Sequence, residues 1–204
     1  WPGHFWWVYL AVRLGGKEAF NKATIGNGSF NDETFVKAGE LLQELIALKP
    51  FQEGFLAATY GGDQAALMGN GKAAMELMGQ WAPAVQIGSS EDKKGLGDKL
   101  GFMSFPAVEG GKGKLTALMG GGDGLVIGKN APTEAIEFLK FITNVENEKF
   151  LATGPLGIVP TALGAETALT DPNLIAINKA VSVATYYQLY YDQYLPPATG
   201  EVVK

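Results

Sequence analysis

Along residues 31–46 the apolar positions return with a helical period, placing Phe35, Ala38, Leu41, Leu42 and Leu45 on one face. This pattern predicts a helix with Asn31 as its cap, Asp32 and Glu33 at its positive end, and Pro50 beyond its finish. A second stripe, Ala135, Ile136, Leu139 and Ile142, predicts a helix over 132–142, with Pro132 in its first position and Glu137 and Lys140 facing water. Shorter helical runs are expected over 61–68, from Trp81-Ala82-Pro83 onward, and over 146–153 and 173–184. Pro155 and Pro160 limit helical continuation after the third of these. The run 5–14 is apolar apart from Arg13 and stops at Gly15-Gly16, so periodicity leaves helix and buried strand both open. Extended segments are predicted over 101–106 and 124–127. Near the end, Tyr187 and Tyr191 have the i,i+4 spacing of one helical face, as do Tyr186 and Tyr190, and Pro196-Pro197 reads as punctuation.

A transition near 106–115 divides a first α/β block from a later segment holding the Gly120 turn and two helices, with the aromatic end returning to the first block. Glycine is abundant, 28 residues in clusters without a collagen period, which fits turns and close backbone approaches rather than a fibre or linker. The net charge of −5 and the lack of any long Lys/Arg run make nucleic acid a poor partner. The chain has no cysteine, which excludes disulfides and thiolate chemistry. Its single histidine, His4, argues against a site built on several imidazoles. No cofactor or metal is called for. The mixed-sign cluster Glu91-Asp92-Lys93-Lys94 reads as a solvated loop.

The candidate chemistry is recognition. Trp81 follows Gly79 closely and is restrained by Ala82-Pro83, so its indole can offer a flat face to a pyranose ring or pack in the core. Asp123, after Gly120-Gly121-Gly122, either joins backbone donors against a polar ligand or shapes a turn. The glycine run lacks the lysine and hydroxyl pattern of a phosphate loop. Asp192 with Tyr190 and its neighbouring tyrosines can line a cavity rim. Trp1 and His4 are further candidates, and of the group Trp1, Trp6 and Trp7 at least one should be core. Carboxylate pairs Glu33/Glu137 or Asp123/Asp192 would serve acid–base chemistry only if the fold brought them together.

The segment Gly71-Lys72-Ala73-Ala74-Met75-Glu76-Leu77-Met78-Gly79-Gln80-Trp81 resembles a strand carrying Gly-Lys-Ala-Ala-Met and ending at Gly-x-Trp in family-one extracellular solute-binding proteins. The order of Gly124-Leu125-Val126-Ile127-Gly128, the 135–142 helix and Gly154-Pro155-Leu156-Gly157-Ile158-Val159-Pro160 is similar to the same family, as are Trp1-Pro2 and Gly15-Gly16. The resemblance implies an α/β fold of the periplasmic-binding-protein type II, present here as the second lobe plus a returning part of the first. It divides the chain into 1–106, a crossing region 107–114, a first-lobe segment 115–165 and a return over 166–204. Residues 73–78, whose Ala and Met favour helix, are by resemblance a strand. The implied function is capture of a neutral oligosaccharide and its delivery to the permease subunits of an ABC importer. This would take place in the periplasm or at the outer membrane face, where the protein would be lipid-anchored. Trp81 would be the aromatic platform, Gly121, Gly122 and Asp123 a polar lining, and Tyr190 or Asp192 a late contact. No catalytic residue is implied. The alternatives are a glycoside-active enzyme fragment and a non-transport adhesion or assembly lobe. A partner segment completing the first lobe is expected, so the region after Gly120 should expose apolar, unpaired surface.

Overall fold

The computed structural model describes residues 1–154 and 156–203. The run 5–14 is helical, in α1, Pro2–Thr24, which breaks at Gly16, where φ 62° and ψ −163° suit only glycine. Within this helix the run 5–14 is apolar nearly all round because it is buried on two sides, so it shows no single face. One side packs Val8, Val12 and Phe20 against Ala117, Tyr191 and Leu195. The other packs Leu10 and Ala11 against Phe35 and Ala38 of α2, Glu33–Ala47. The cap of α2 is Asp32 rather than Asn31, and its carboxylate turns back to accept from the Ser29 amide at 3.0 Å.

Two parallel strands lie against α1: β1, Ala117–Gly120, and β2, Tyr186–Leu189, in register Ala117 to Tyr186 through Gly120 to Leu189. The i,i+4 reading of the tyrosines therefore fails. β1 offers β2 a hydrogen-bonding edge, and side chains in a strand alternate between faces. Tyr191 begins a short helix, α3, Tyr191–Tyr194, and its ring stacks on Phe20 with centres 4.3 Å apart. Pro196-Pro197 opens a further helix, α4, Pro197–Val203, instead of ending the structure, because proline in a first helical turn sacrifices no intrahelical bond.

Arg13, 1% exposed, ties α1 to the chain that follows residue 104. Its guanidinium donates to the carbonyls of Phe105, Pro106, Lys114 and Ala117 at 2.8–3.1 Å and reaches Leu115 at 3.4 Å. Tyr9 and Phe105 stack 4.7 Å apart beside it. Backbone carbonyls thus satisfy a buried cation with no carboxylate among its hydrogen-bond partners.

Between these parts lie α5, Ala65–Gly69, preceded by a wide helical turn at Tyr60–Gln64, and α6, Ala82–Ser89. They touch at Gly69, where a Cβ would fall 2.4 Å from the Gln86 carbonyl oxygen. The later segment holds α7, Thr133–Ile142, α8, Val145–Ala152, and α9, Pro172–Ser182. Asn144 and Asp171 cap the last two through their side chains. Pro132 precedes α7 as its cap residue rather than occupying its first position. Pro155 lies outside the described residues.

The stripe on α7 is real but not covered. Ala135, Leu139 and Ile142 are half-buried, Ile136 is exposed, and Phe138 and Phe141 are each 60% exposed. Residues 73–78, 101–106 and 124–127 form no ladder with any described residue. Val126 is 93% exposed. A strand needs a neighbour for its amides and carbonyls, so these segments run without strand pairing.

Candidate ligand-binding surface

Trp81 stands at the entry to α6, and Pro83 in the first turn of that helix stiffens the chain behind it. Its indole folds back over Gly79, where a Cβ would lie 2.1 Å from Cζ3 of the ring. The spacing Gly-x-Trp thus has a steric cause, since only a hydrogen fits beneath the indole.

Beside Trp81 a line of ring contacts begins at Tyr60 and runs across α1 to the end of β2. The Trp81 indole is turned toward the Tyr60 hydroxyl, but that buried hydroxyl is left without a hydrogen-bond partner. Tyr60 meets Trp1 edge-on at 5.3 Å, Trp1 meets Phe5 at 5.4 Å, and Phe5 stacks on Tyr190 at 5.1 Å with the planes 13° apart. Tyr190 in turn rests on Gly121, where a Cβ would come within 2.6 Å of its ring. Gly122 is open to solvent and Asp123 is exposed beside it. Trp1 is 43% exposed, so the line is accessible at its middle.

The two tyrosines of the line keep their hydroxyls protonated. Burial raises the Tyr60 pKa to about 12, the Glu76 charge adds to this, and Trp81 opposes it. Burial also raises Tyr190, with Tyr187, Tyr9, Asp192 and Asp123 adding to it. Both phenols remain able to donate and accept at neutral pH.

Behind the Tyr60 end of the line sits a polar support centred on Glu76, which lies within the 71–81 motif. Glu76 accepts from the side-chain amides of Gln64 at 2.9 Å and Gln86 at 2.5 Å. Burial raises the Glu76 pKa, and these two donors oppose that shift. Toward the Tyr190 end of the line, His4 and Asp192 face each other rather than solvent, with Nε2 and Oδ1 3.6 Å apart.

The structure therefore brings Trp81, Trp1, Tyr190, Gly121, Gly122 and Asp123 along one surface and sets His4 and Asp192 behind it. Of the remaining tryptophans, Trp7 belongs to the core and donates to the Phe35 carbonyl at 3.1 Å. Trp6 packs edge-on to Phe51 and Phe105. Sequence reasoning missed Tyr60 and Phe5, whose roles depend on rings distant in sequence. Of the carboxylate pairs, Glu137 is held by Lys140 at 2.9 Å on an exposed face, and Glu33 opens α2. Asp123 and Asp192 both act on Tyr190. A concavity of about 700 Å³ lies between Met68–Ala74 and Glu91–Gly101, and one of about 400 Å³ lies between α1 and α2; Trp81, Trp1 and Tyr190 line neither.

A family model described as bacterial extracellular solute-binding protein matches residues 1–149. The fold is similar to that of a solved structure concerning xylan utilization by the thermophilic bacterium Caldanaerobius polysaccharolyticus, with a TM-score of 0.82 and 23% identity over 100% of this chain and 52% of that one. It is also similar to a chitin oligosaccharide binding protein, with a TM-score of 0.69 and 23% identity over 92% of this chain and 46% of that one. The chain thus spans about half the length of the structures it matches. No curated protein matches it.

Proposed function

The chain belongs to the bacterial extracellular solute-binding proteins, and from that premise we propose that it captures a neutral oligosaccharide and passes it unchanged to an ABC-type importer. The observation that carries this reading is the group of accessible rings Trp81, Tyr60, Trp1 and Tyr190, with the buried Phe5 packed between Trp1 and Tyr190 as their support. Pyranose rings present C–H faces that stack on aromatic surfaces, and their rim hydroxyls seek donors and acceptors. The Gly121-Gly122-Asp123 turn beside Tyr190 offers backbone amides and a carboxylate for those hydroxyls. The names of the two structural neighbours concern xylan and chitin oligosaccharide, which supports a sugar over an amino acid or peptide.

Capture takes place outside the cytoplasm, in the periplasm or at a lipid-anchored position on the outer membrane face. The divisions 1–106, 107–114, 115–165 and 166–204 belong to the same reading, as does a further receptor segment that packs against the exposed 124–127 face. Closure over the sugar is driven by its better contacts in the closed state.

Calorimetry on the full-length protein tests the reading with xylo-oligosaccharides, chito-oligosaccharides, amino acids, short peptides and phosphorylated sugars, followed by mass analysis of the recovered ligand. Selective binding of an unchanged neutral oligosaccharide is expected. Exclusive peptide binding would overturn the sugar class, and bond cleavage would overturn the receptor mechanism.

A further inference from the structure

Two buried polar atoms face each other behind the ring line without a hydrogen bond. His4 Nδ1 lies 2.7 Å from the Trp1 carbonyl oxygen. A carbonyl has no proton to give, so Nδ1 carries one and donates it. In the neutral imidazole Nε2 is then an acceptor only. Asp192 Oδ1, an acceptor when ionised, stands 3.6 Å from it, and both atoms are buried and unpartnered.

One added proton satisfies both atoms. On Nε2 it makes an imidazolium that donates to the carboxylate; on Oδ1 it makes a carboxylic acid that donates to Nε2. Either way a repulsive pair of lone pairs becomes a hydrogen bond, and the 3.6 Å separation shortens.

The pair is placed to move the ring surface. His4 precedes Phe5 on α1 and meets its ring edge-on at 4.8 Å, and Asp192 lies on α3, two residues beyond Tyr190. Phe5 and Tyr190 are the stacked pair that joins Trp1 to the glycine turn. Drawing α3 toward α1 therefore presses Tyr190 onto Phe5.

We propose that His4 and Asp192 are a positioning pair that shares one proton and thereby sets Tyr190 against Phe5, making the ring surface dependent on pH. The charged side chain acting on His4 is that of Asp192. Asp123, Asp192 and the phenols of Tyr187 and Tyr9 act on Tyr190. Burial holds the His4 pKa below the ordinary imidazole value, opposed by the Trp1 carbonyl and Asp192. Proton uptake therefore falls on the acidic side of neutrality. The consequence for sugar affinity rests on the function proposed above; the coupling between the pair and Tyr190 does not.

The test is an NMR titration of the ligand-free full-length protein, with His4 signals identified by their loss in His4→Gln. The His4 ring nitrogens and the Tyr190 ring protons are expected to shift with one shared midpoint. Asp192→Asn, whose amide can donate to Nε2, lowers that midpoint and holds Tyr190 in one position at every pH. In His4→Gln the pH dependence of Tyr190 disappears. An unchanged midpoint in Asp192→Asn, or a Tyr190 titration that survives His4→Gln, overturns the pair. Calorimetry with a xylo-oligosaccharide and a chito-oligosaccharide, from about pH 8 to about pH 5, is expected to show several-fold tighter binding in acid that is flat in Asp192→Asn. Binding without pH dependence overturns the coupling to the ring surface. If neither sugar binds while the His4 and Tyr190 signals still share a midpoint, the pair stands and the sugar reading falls.

Discussion

The Arg13 side chain holds Phe105 in two ways: Nη2 donates to its carbonyl at 2.8 Å, and the guanidinium lies 5.9 Å from the centre of its ring. With the bonds to Pro106, Lys114 and Ala117, this makes Arg13 a fastening between α1 and β1, alongside the Tyr9 hydroxyl, which accepts from the Met119 amide at 3.2 Å. Arg13→Met keeps much of the volume but strands several buried carbonyls, each worth about 1–3 kcal/mol. A loss of roughly 3 kcal/mol or more is expected from urea unfolding midpoints. Arg13→Lys should recover little of it, because an ammonium cannot span the same fork of acceptors. A loss under about 1 kcal/mol would mean that water reaches those carbonyls.

Gly79 and Trp81 form a second dependent pair. Gly79→Ala places a methyl where the indole lies, 2.1 Å from Cζ3, so the ring must leave its position. The expected outcome in the full-length protein is a change in tryptophan fluorescence and weaker oligosaccharide binding with little loss of stability. Trp81→Ala should weaken binding by about 1–4 kcal/mol. Equal losses of stability and affinity in Trp81→Ala would assign the indole to packing instead.

Glu148 supplies an acid-sensitive clamp. Burial works against its carboxylate, but the amides of Ala162 and Thr161 and the Thr161 hydroxyl outweigh it and hold the pKa below the ordinary 4.5. A depressed folded value gives stability that is present above pH 4.5 and lost as pH falls through that folded value. Thermal unfolding should therefore show Glu148→Gln less stable than the parent at neutral pH, with the difference shrinking in acid. A gap that stays constant with pH would remove the charge from the explanation.

Glu76 has the opposite sign. Burial raises its pKa above 4.5, with the Gln86 and Gln64 amides opposing, so its contribution is fully present below pH 4.5 and declines as pH rises through the folded value. The melting temperature of the parent should fall relative to Glu76→Gln as the solution moves from acid to neutral pH. Parallel curves would show that Glu76 is ionised at no cost in the folded protein.

The amphipathic elements were legible because one apolar face leaves a period in the chain, whether that face is covered, as on α2, or left largely open, as on α7. Phe35, Ala38, Leu41 and Leu42 located α2, and Ala135, Leu139 and Ile142 located α7. The motif around Gly79 and Trp81 was legible too, since a ring folded on its own backbone is a local matter of sterics. Elements buried on several sides, or decided by a neighbour, were not. The apolar run in α1 is covered by both α2 and β1 and shows no single face, and 186–189 became a strand because 117–120 lies alongside it.

What the sequence determined by itself was therefore the set of helices with one wet face, the glycine positions that a ring or turn demands, and the resemblance carried by contiguous motifs. Tertiary structure alone decided that Arg13 would spend its donors on backbone carbonyls some ninety to one hundred residues away. It also decided that Tyr60 and Phe5 would join Trp81 to Tyr190, and that His4 and Asp192 would turn to each other rather than to solvent. The reason is the range of the forces involved. Sterics and periodicity act between residues a few positions apart, whereas hydrogen bonds and ring contacts depend on which distant segments the core brings within a few ångströms of one another.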